Sequence, residues 1–239
     1  KKECRHAVDY FLMSCHHPVE TEREAMCDEP TMKMRDWCWF FLEKTQALKR
    51  SKIVWPEDHC SGDEAWVMTV DGIDCWTVEC ADKEFVQDSK RFSHKCNHAS
   101  MTCELGVSVK ESRLTWMNGP FKSGDSDRKK IQNKGLRDKL LAIKKRGIAN
   151  GGYTGYPKEL STPNGHGCNS VPMFKSRALK HHEKFNNKIK VYKAIKERFR
   201  HPEDLFAVYF ETICVLCQCH MENGAPLHNI CVGDMQLEN

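Results

Sequence analysis

The apolar positions change period along the chain. From Thr31 to Leu48, Met34, Trp37, Phe41 and Leu48 recur at helical spacing, and Pro56 closes the segment after Ile53-Val54-Trp55. Residues 1–56 therefore predict a helical N-terminal appendage. After the turn-rich stretch Pro56 to Gly62 the pattern becomes that of strands: Trp66–Val70, a short piece Cys75–Val78, then Met101–Val109 and Arg113–Met117, ended by Asn118-Gly119-Pro120. Helical period returns over Ser126–Lys145. A short apolar piece, Gly147-Ile148-Ala149, then leads into the turn Asn150-Gly151-Gly152-Tyr153, and α/β folds hold ligands at such strand-to-turn junctions. A helix is predicted over Lys175–Phe199, with Phe185, Ile189, Tyr192, Ile195 and Phe199 as its core stripe. Another starts at Pro202 and stops at Asn223-Gly224. Strands followed by helix, strand and two helices predict an α/β domain over 57–239.

With 239 residues, 40% hydrophobic and 29% charged, the composition is that of an ordinary globular chain and not of a collagen-like or disordered one. The most apolar run, Leu205–Cys219, is interrupted by Glu211, Thr212 and Gln218, so it reads as a buried helix and not a membrane span. The start, Lys1-Lys2-Glu3-Cys4-Arg5, has neither an initiating Met nor an apolar stretch behind its charges, so the chain reads as a fragment without a signal peptide. Fourteen cysteines scattered through a chain of this length point to a reducing, intracellular compartment.

Charge changes the picture more. The net value is only +4, but Lys122–Arg146 carries +7 and Lys175–Arg200 carries +8, leaving −11 for the rest. Two basic segments on an otherwise acidic chain suit a polyanion surface, and equally two solvated helix faces.

Several residues could carry chemistry. Asp71 ends an apolar strand and is followed by Gly72, which puts a carboxylate at a strand's C-terminal edge; Asp-Gly is also a common turn pair. Glu183 falls opposite the core stripe of its helix, with Asn187 and Lys190, where a solvated residue is the ordinary occupant. Asp125 and Asp127 lie at the start of the predicted Ser126–Lys145 helix, where Asp125, Ser126 or Asp127 would ordinarily cap the first turn. Cys214, Cys217, Cys219 and His220 form a C-x-x-C-x-C-H string, and His94, Cys96, His98 and Cys103 a second patch. Zinc sites draw paired ligands from loops, whereas the first string lies within a predicted helix, so buried thiols are expected there. No nucleophile elbow, phosphate-binding loop or dinucleotide fingerprint occurs.

One ordered set of segments carries a resemblance. Val70-Asp71-Gly72, Phe92-Ser93-His94-Lys95, Glu104-Leu105-Gly106, Trp116-Met117-Asn118-Gly119-Pro120-Phe121, Ala149-Asn150-Gly151-Gly152-Tyr153 and His182-Glu183-Lys184-Phe185-Asn186 together resemble the PIF/Harbinger class of DDE transposases. The Trp55-Pro56 lead-in and the tail Asn223-Gly224-Ala225-Pro226-Leu227 extend the likeness over most of the chain. It implies a ribonuclease H-like fold in which three acids bind two divalent metals. The first acid matches Asp71 and the third Glu183. Where the family has the second, this chain has Asn150, and where the family tends to have His after its first Asp-Gly, it has Asp74. Asp127 matches a further family Asp and is expected to assist the metal site.

The resemblance implies a metal-dependent DNA endonuclease or strand-transfer domain. In such enzymes two Mg²⁺ or Mn²⁺ ions about 3.5–4 Å apart neutralise the attacking and leaving oxygens of the phosphodiester. Asn150 can lend an oxygen but no charge, so metal affinity is expected to fall. Lys95, Lys184, Lys188 and Lys190 are expected along the phosphates of double-stranded DNA. Also expected are a nuclear location and homo-oligomerisation; no helix-turn-helix is evident in the N-terminal segment, so specific end recognition is expected of residues missing from this chain or of a separate DNA-binding partner protein. Two other readings are a catalytically silent, DNA-binding relic and a zinc-stabilised interaction module.

Overall fold

The computed structural model describes residues 2–17, 19–27, 30–55, 65–78, 90–125, 131, 135–163 and 170–230. Over these, the chain is α/β, with a mixed, open six-stranded sheet and flanking helices. Three helices come first: α1 (Lys2–His16), α2 (Glu20–Cys27) and α3 (Thr31–Lys52). The sheet is built from β1 (Trp66–Trp76), β2 (Phe92–Ser93), β3 (His98–Ser108), β4 (Leu114–Lys122), β5 (Arg146–Ala149) and β6 (Leu160–Ser161). Helix α4 (Leu136–Ala142) precedes β5, and α5 (Ser170–Ile189), α6 (Lys193–Lys196) and α7 (Phe206–Glu222) follow β6.

The strand order is β2-β3-β1-β5-β6, with β4 also paired to β3. β1, β3 and β4 form an antiparallel meander, whereas β5 lies parallel to both β1 and β6. The expected break in the first strand does not occur, because β1 continues through Gly72 in unbroken register with β3. Nor does Asn118-Gly119-Pro120 end the meander. Along this segment β4 pairs only with β3 among the described residues, and the register slips between Thr102 and Glu104, so a residue without an N–H is accommodated at a bulge on an outer strand.

Two further differences concern helices. Within the predicted Ser126–Lys145 helix, the described residues are Ile131 and 135–145, and of the latter only Leu136–Ala142 are helical, as α4, with a turn leading on to β5. The predicted Lys175–Phe199 helix ends at Ile189, and the chain turns so that Phe199 can bridge to Thr77 at the end of β1. The apolar period continues past the helix end because Ile195 and Phe199 return to the same core as Phe185 and Ile189 from separate elements.

That core joins Ile73, Cys75 and Leu105 of the sheet to Phe185 and Ile189 of α5, Phe206, Phe210 and Ile213 of α7, and Phe11, Cys15 and Leu42 of the N-terminal helices. Lys49 reaches Glu211 of α7 at 2.5 Å. A second cluster gathers Met68, Val70, Leu136, Leu140 and Tyr153. With its preceding turn, α7 is long and apolar enough to cross a membrane, and most of its side chains, from Phe206 to Met221, are buried in the protein's own core.

Candidate functional site

Parallel pairing of β1 with β5 sets Val70 opposite Ala149, so the next residues, Asp71 and Asn150, emerge side by side. Asn150 then leaves the strand and caps a 3-10 turn, Gly151–Tyr153. Its Oδ1 accepts a hydrogen bond from the Gly152 N–H at 2.9 Å, and its Nδ2 donates to Asp71 Oδ1 at 2.9 Å. The sequence-predicted first and second positions are thus in direct contact. Their bond is of the kind an Asp at 150 could not make while ionised, because a carboxylate has no proton to donate.

Helix α5 lies across β1 in a fixed register. His182, buried, places Nδ1 2.9 Å from Thr69 Oγ1, and one turn later Asn186 donates from Nδ2 to Asp71 Oδ2 at 3.3 Å. Residues four apart on a helix rise about 6 Å, close to the spacing of residues two apart on a strand, so the 182/186 and 69/71 pairs match. The Thr69 hydroxyl donates to the Val107 carbonyl, which leaves its oxygen to accept from the His182 Nδ1–H. Burial, more than the nearby His181, drives the His182 pKa down to about 3, so the ring is neutral.

Glu183 follows His182 and is turned about 100° from it around the helix. It is exposed and has no hydrogen-bond or ion-pair partner among the described residues. Nor do three His, Cys, Asp or Glu side chains gather as a metal-binding group among those residues. Asp74 stands three positions from Asp71 on the same strand, hence on the opposite face of the sheet, where it accepts hydrogen bonds from Thr102 and Ser93. Asp127 lies outside the described residues. Cys214 and Cys217 are buried in the main core within α7, where burial pushes both thiols up, Cys217 to about 12.

The basic segments divide by role. Lys180, Lys184 and Lys188 are spaced four apart along one stripe of α5, with Arg177 beside them; the first two lysines and Arg177 are exposed and Lys188 is half-buried. Lys190, also exposed, lies off that stripe, and Lys95 is exposed in the turn after β2. Lys175, by contrast, is buried with its ammonium 4.8 Å from the Trp66 ring centre, and Arg146 also packs on Trp66. Arg137 is engaged with Glu159 at 2.5 Å.

Sequence reasoning missed Asn186. Its signal was slight: a position one turn after His182, at the margin of the Phe185–Ile189 stripe. Comparisons of the chain with protein-family profiles, with curated proteins and with solved structures find no match.

Proposed function

We propose that this chain is a DDE-type domain of the PIF/Harbinger transposase kind, which acts on the phosphodiester backbone of duplex DNA with a divalent metal at Asp71. The observation that carries the reading is the meeting of Asp71, within β1 just past its parallel pairing with β5, and Asn150, at the end of β5, beneath α5. A meander of β4, β3 and β1 followed by parallel β5 and β6 is compatible with a ribonuclease H-like fold.

The side chains at this place fit a weakly held Mg²⁺ or Mn²⁺. Asp71 and Asn186 offer hard oxygens, and the Asn186 Oδ1 is buried without a hydrogen-bond partner; the Asn150 Oδ1 would join them only on releasing the Gly152 N–H. One carboxylate supplies a single negative charge where the resembling family has two at these first positions. When bound, two such ions would stabilise charge on the attacking and leaving oxygens of the phosphodiester. Asp71 anchors the site through its charge, Asn150 ties the loop to it, α5 supplies the third position that the resemblance assigns to Glu183, and Lys184 and Lys188 of α5 hold phosphates.

A Mn²⁺-dependent nicking assay on supercoiled plasmid tests this. Weak nicking by the parent, raised by Asn150→Asp and abolished by Asp71→Asn in that background, is the expected result. Absence of nicking by both parent and Asn150→Asp, with DNA binding intact, supports instead the silent DNA-binding relic. One observation favours that second reading: the Asn150 amide protons already satisfy Asp71 where a cation would otherwise be needed.

A further inference from the structure

We infer that Asn186, and not Glu183, is the residue through which α5 reaches a divalent cation at Asp71; the inference rests on the proposed metal site. The helix register carries it. His182 is pinned to Thr69 and Asn186 to Asp71, so the side chain facing the carboxylate is the amide, while Glu183 lies nearly one turn back and exposed.

The amide is poorly satisfied as it stands. Its bond to Asp71 is 3.3 Å, at the long end for N–H···O, and its Oδ1 is buried with no hydrogen-bond partner. A buried carbonyl oxygen left unpaired is costly, and a bound cation is one of the few partners that would satisfy it together with an adjacent carboxylate. The two ends of a side-chain amide have nearly the same shape. Without a cation the NH₂ end must face Asp71, because two oxygens would repel. With a cation the carbonyl end is favoured, and half a rotation about the Cβ–Cγ bond exchanges them with no movement of the helix. The neutral oxygen then stands beside the Asp71 carboxylate, a pairing that hard divalent ions accept.

Mn²⁺ titration followed by electron paramagnetic resonance, with thermal melting in parallel, tests the assignment on the full chain. Asn186→Leu is expected to weaken Mn²⁺ binding by about tenfold or more, and Glu183→Gln to weaken it less. Asn186→Asp sets a second carboxylate beside Asp71, so it should melt below the parent in chelator, recover with Mn²⁺, and bind Mn²⁺ more tightly than the parent. A merely structural Asn186 would not produce that metal-dependent recovery. If Glu183→Gln loses binding while Asn186→Leu keeps it, the metal site stands and the assignment to Asn186 falls. If neither the parent nor Asn186→Asp binds Mn²⁺, the metal site itself is overturned and the assignment with it.

Discussion

Asn150 Nδ2 and Asp71 Oδ1 lie 2.9 Å apart across the parallel β1–β5 pair, joining the two residues that the proposed DDE reading sets at its first and second acidic positions. Replacing Asn150 by Asp turns this attraction into repulsion. In chelator, Asn150→Asp should therefore lower stability by about 1–3 kcal/mol, as expected when a half-buried hydrogen bond is broken. Mn²⁺ should restore it, because a cation between the two carboxylates replaces the missing bond. Urea unfolding with and without Mn²⁺ checks both signs. Asn-Gly is prone to deamidation, so the mass of the 150–151 peptide should be measured first.

Acid sensitivity should centre on α5. The folded-state pKa of His182 is about 3, below the ordinary 6.5, so the unfolded chain takes up a proton that the folded chain refuses. This contribution to stability is complete above about pH 6.5 and is lost progressively as the pH falls towards 3. Burial shifts His181 in the same direction. His182→Asn keeps a donor for Thr69 and removes the titrating ring. It should be less stable at neutral pH and show a flatter dependence of unfolding free energy on pH. An unchanged slope would exclude His182 as a cause of the acid lability.

Binding to duplex DNA should be electrostatic and fall steeply with salt. Removing Lys184 and Lys188 together should make the log–log salt slope shallower by about 0.9 for each phosphate no longer neutralised, with similar weakening for unrelated sequences. Lys175→Met, where the side chain is buried against Trp66, should leave that slope unchanged. Fluorescence anisotropy at several salt concentrations separates the two cases.

The thiols should divide by burial. Cys38, Cys96 and Cys219 are partly accessible, whereas Cys15, Cys75, Cys103, Cys214 and Cys217 are buried. Mild alkylation of the native protein should modify the first group and reach the second only after denaturation, since the reactive thiolate is suppressed by burial. Elemental analysis should find no stoichiometric zinc. One equivalent of zinc, removed by mutation of Cys214 and Cys217, would restore the interaction-module reading.

Much of this arrangement was legible because strong local signals and tertiary pairing agree. Asp71 and Asn150 each end an apolar run, and parallel pairing brings such ends together. Asn186 was not legible, because nothing local states which residue of α5 will face β1. That choice is made by pairings more than a hundred residues apart in sequence, His182 with Thr69 and Asn186 with Asp71. The end of α5 was hidden for a related reason: Ile195 and Phe199 keep the helical period while reaching the core from α6 and from the bridge to Thr77. Pro120 misled because its missing N–H matters only where a partner needs it, and at the bulge in β4 none does.

The sharing of one core by Phe11, Leu42 and Phe210 binds distant parts of the chain to a common fate. A piece trimmed to begin at Trp66 would keep every residue of the proposed site, yet it would leave bare the side of α7 that α1 and α3 cover. Such a piece should collect in inclusion bodies, and a deletion confined to the helices before Trp66 would disable α7 as surely as a deletion of α7 itself.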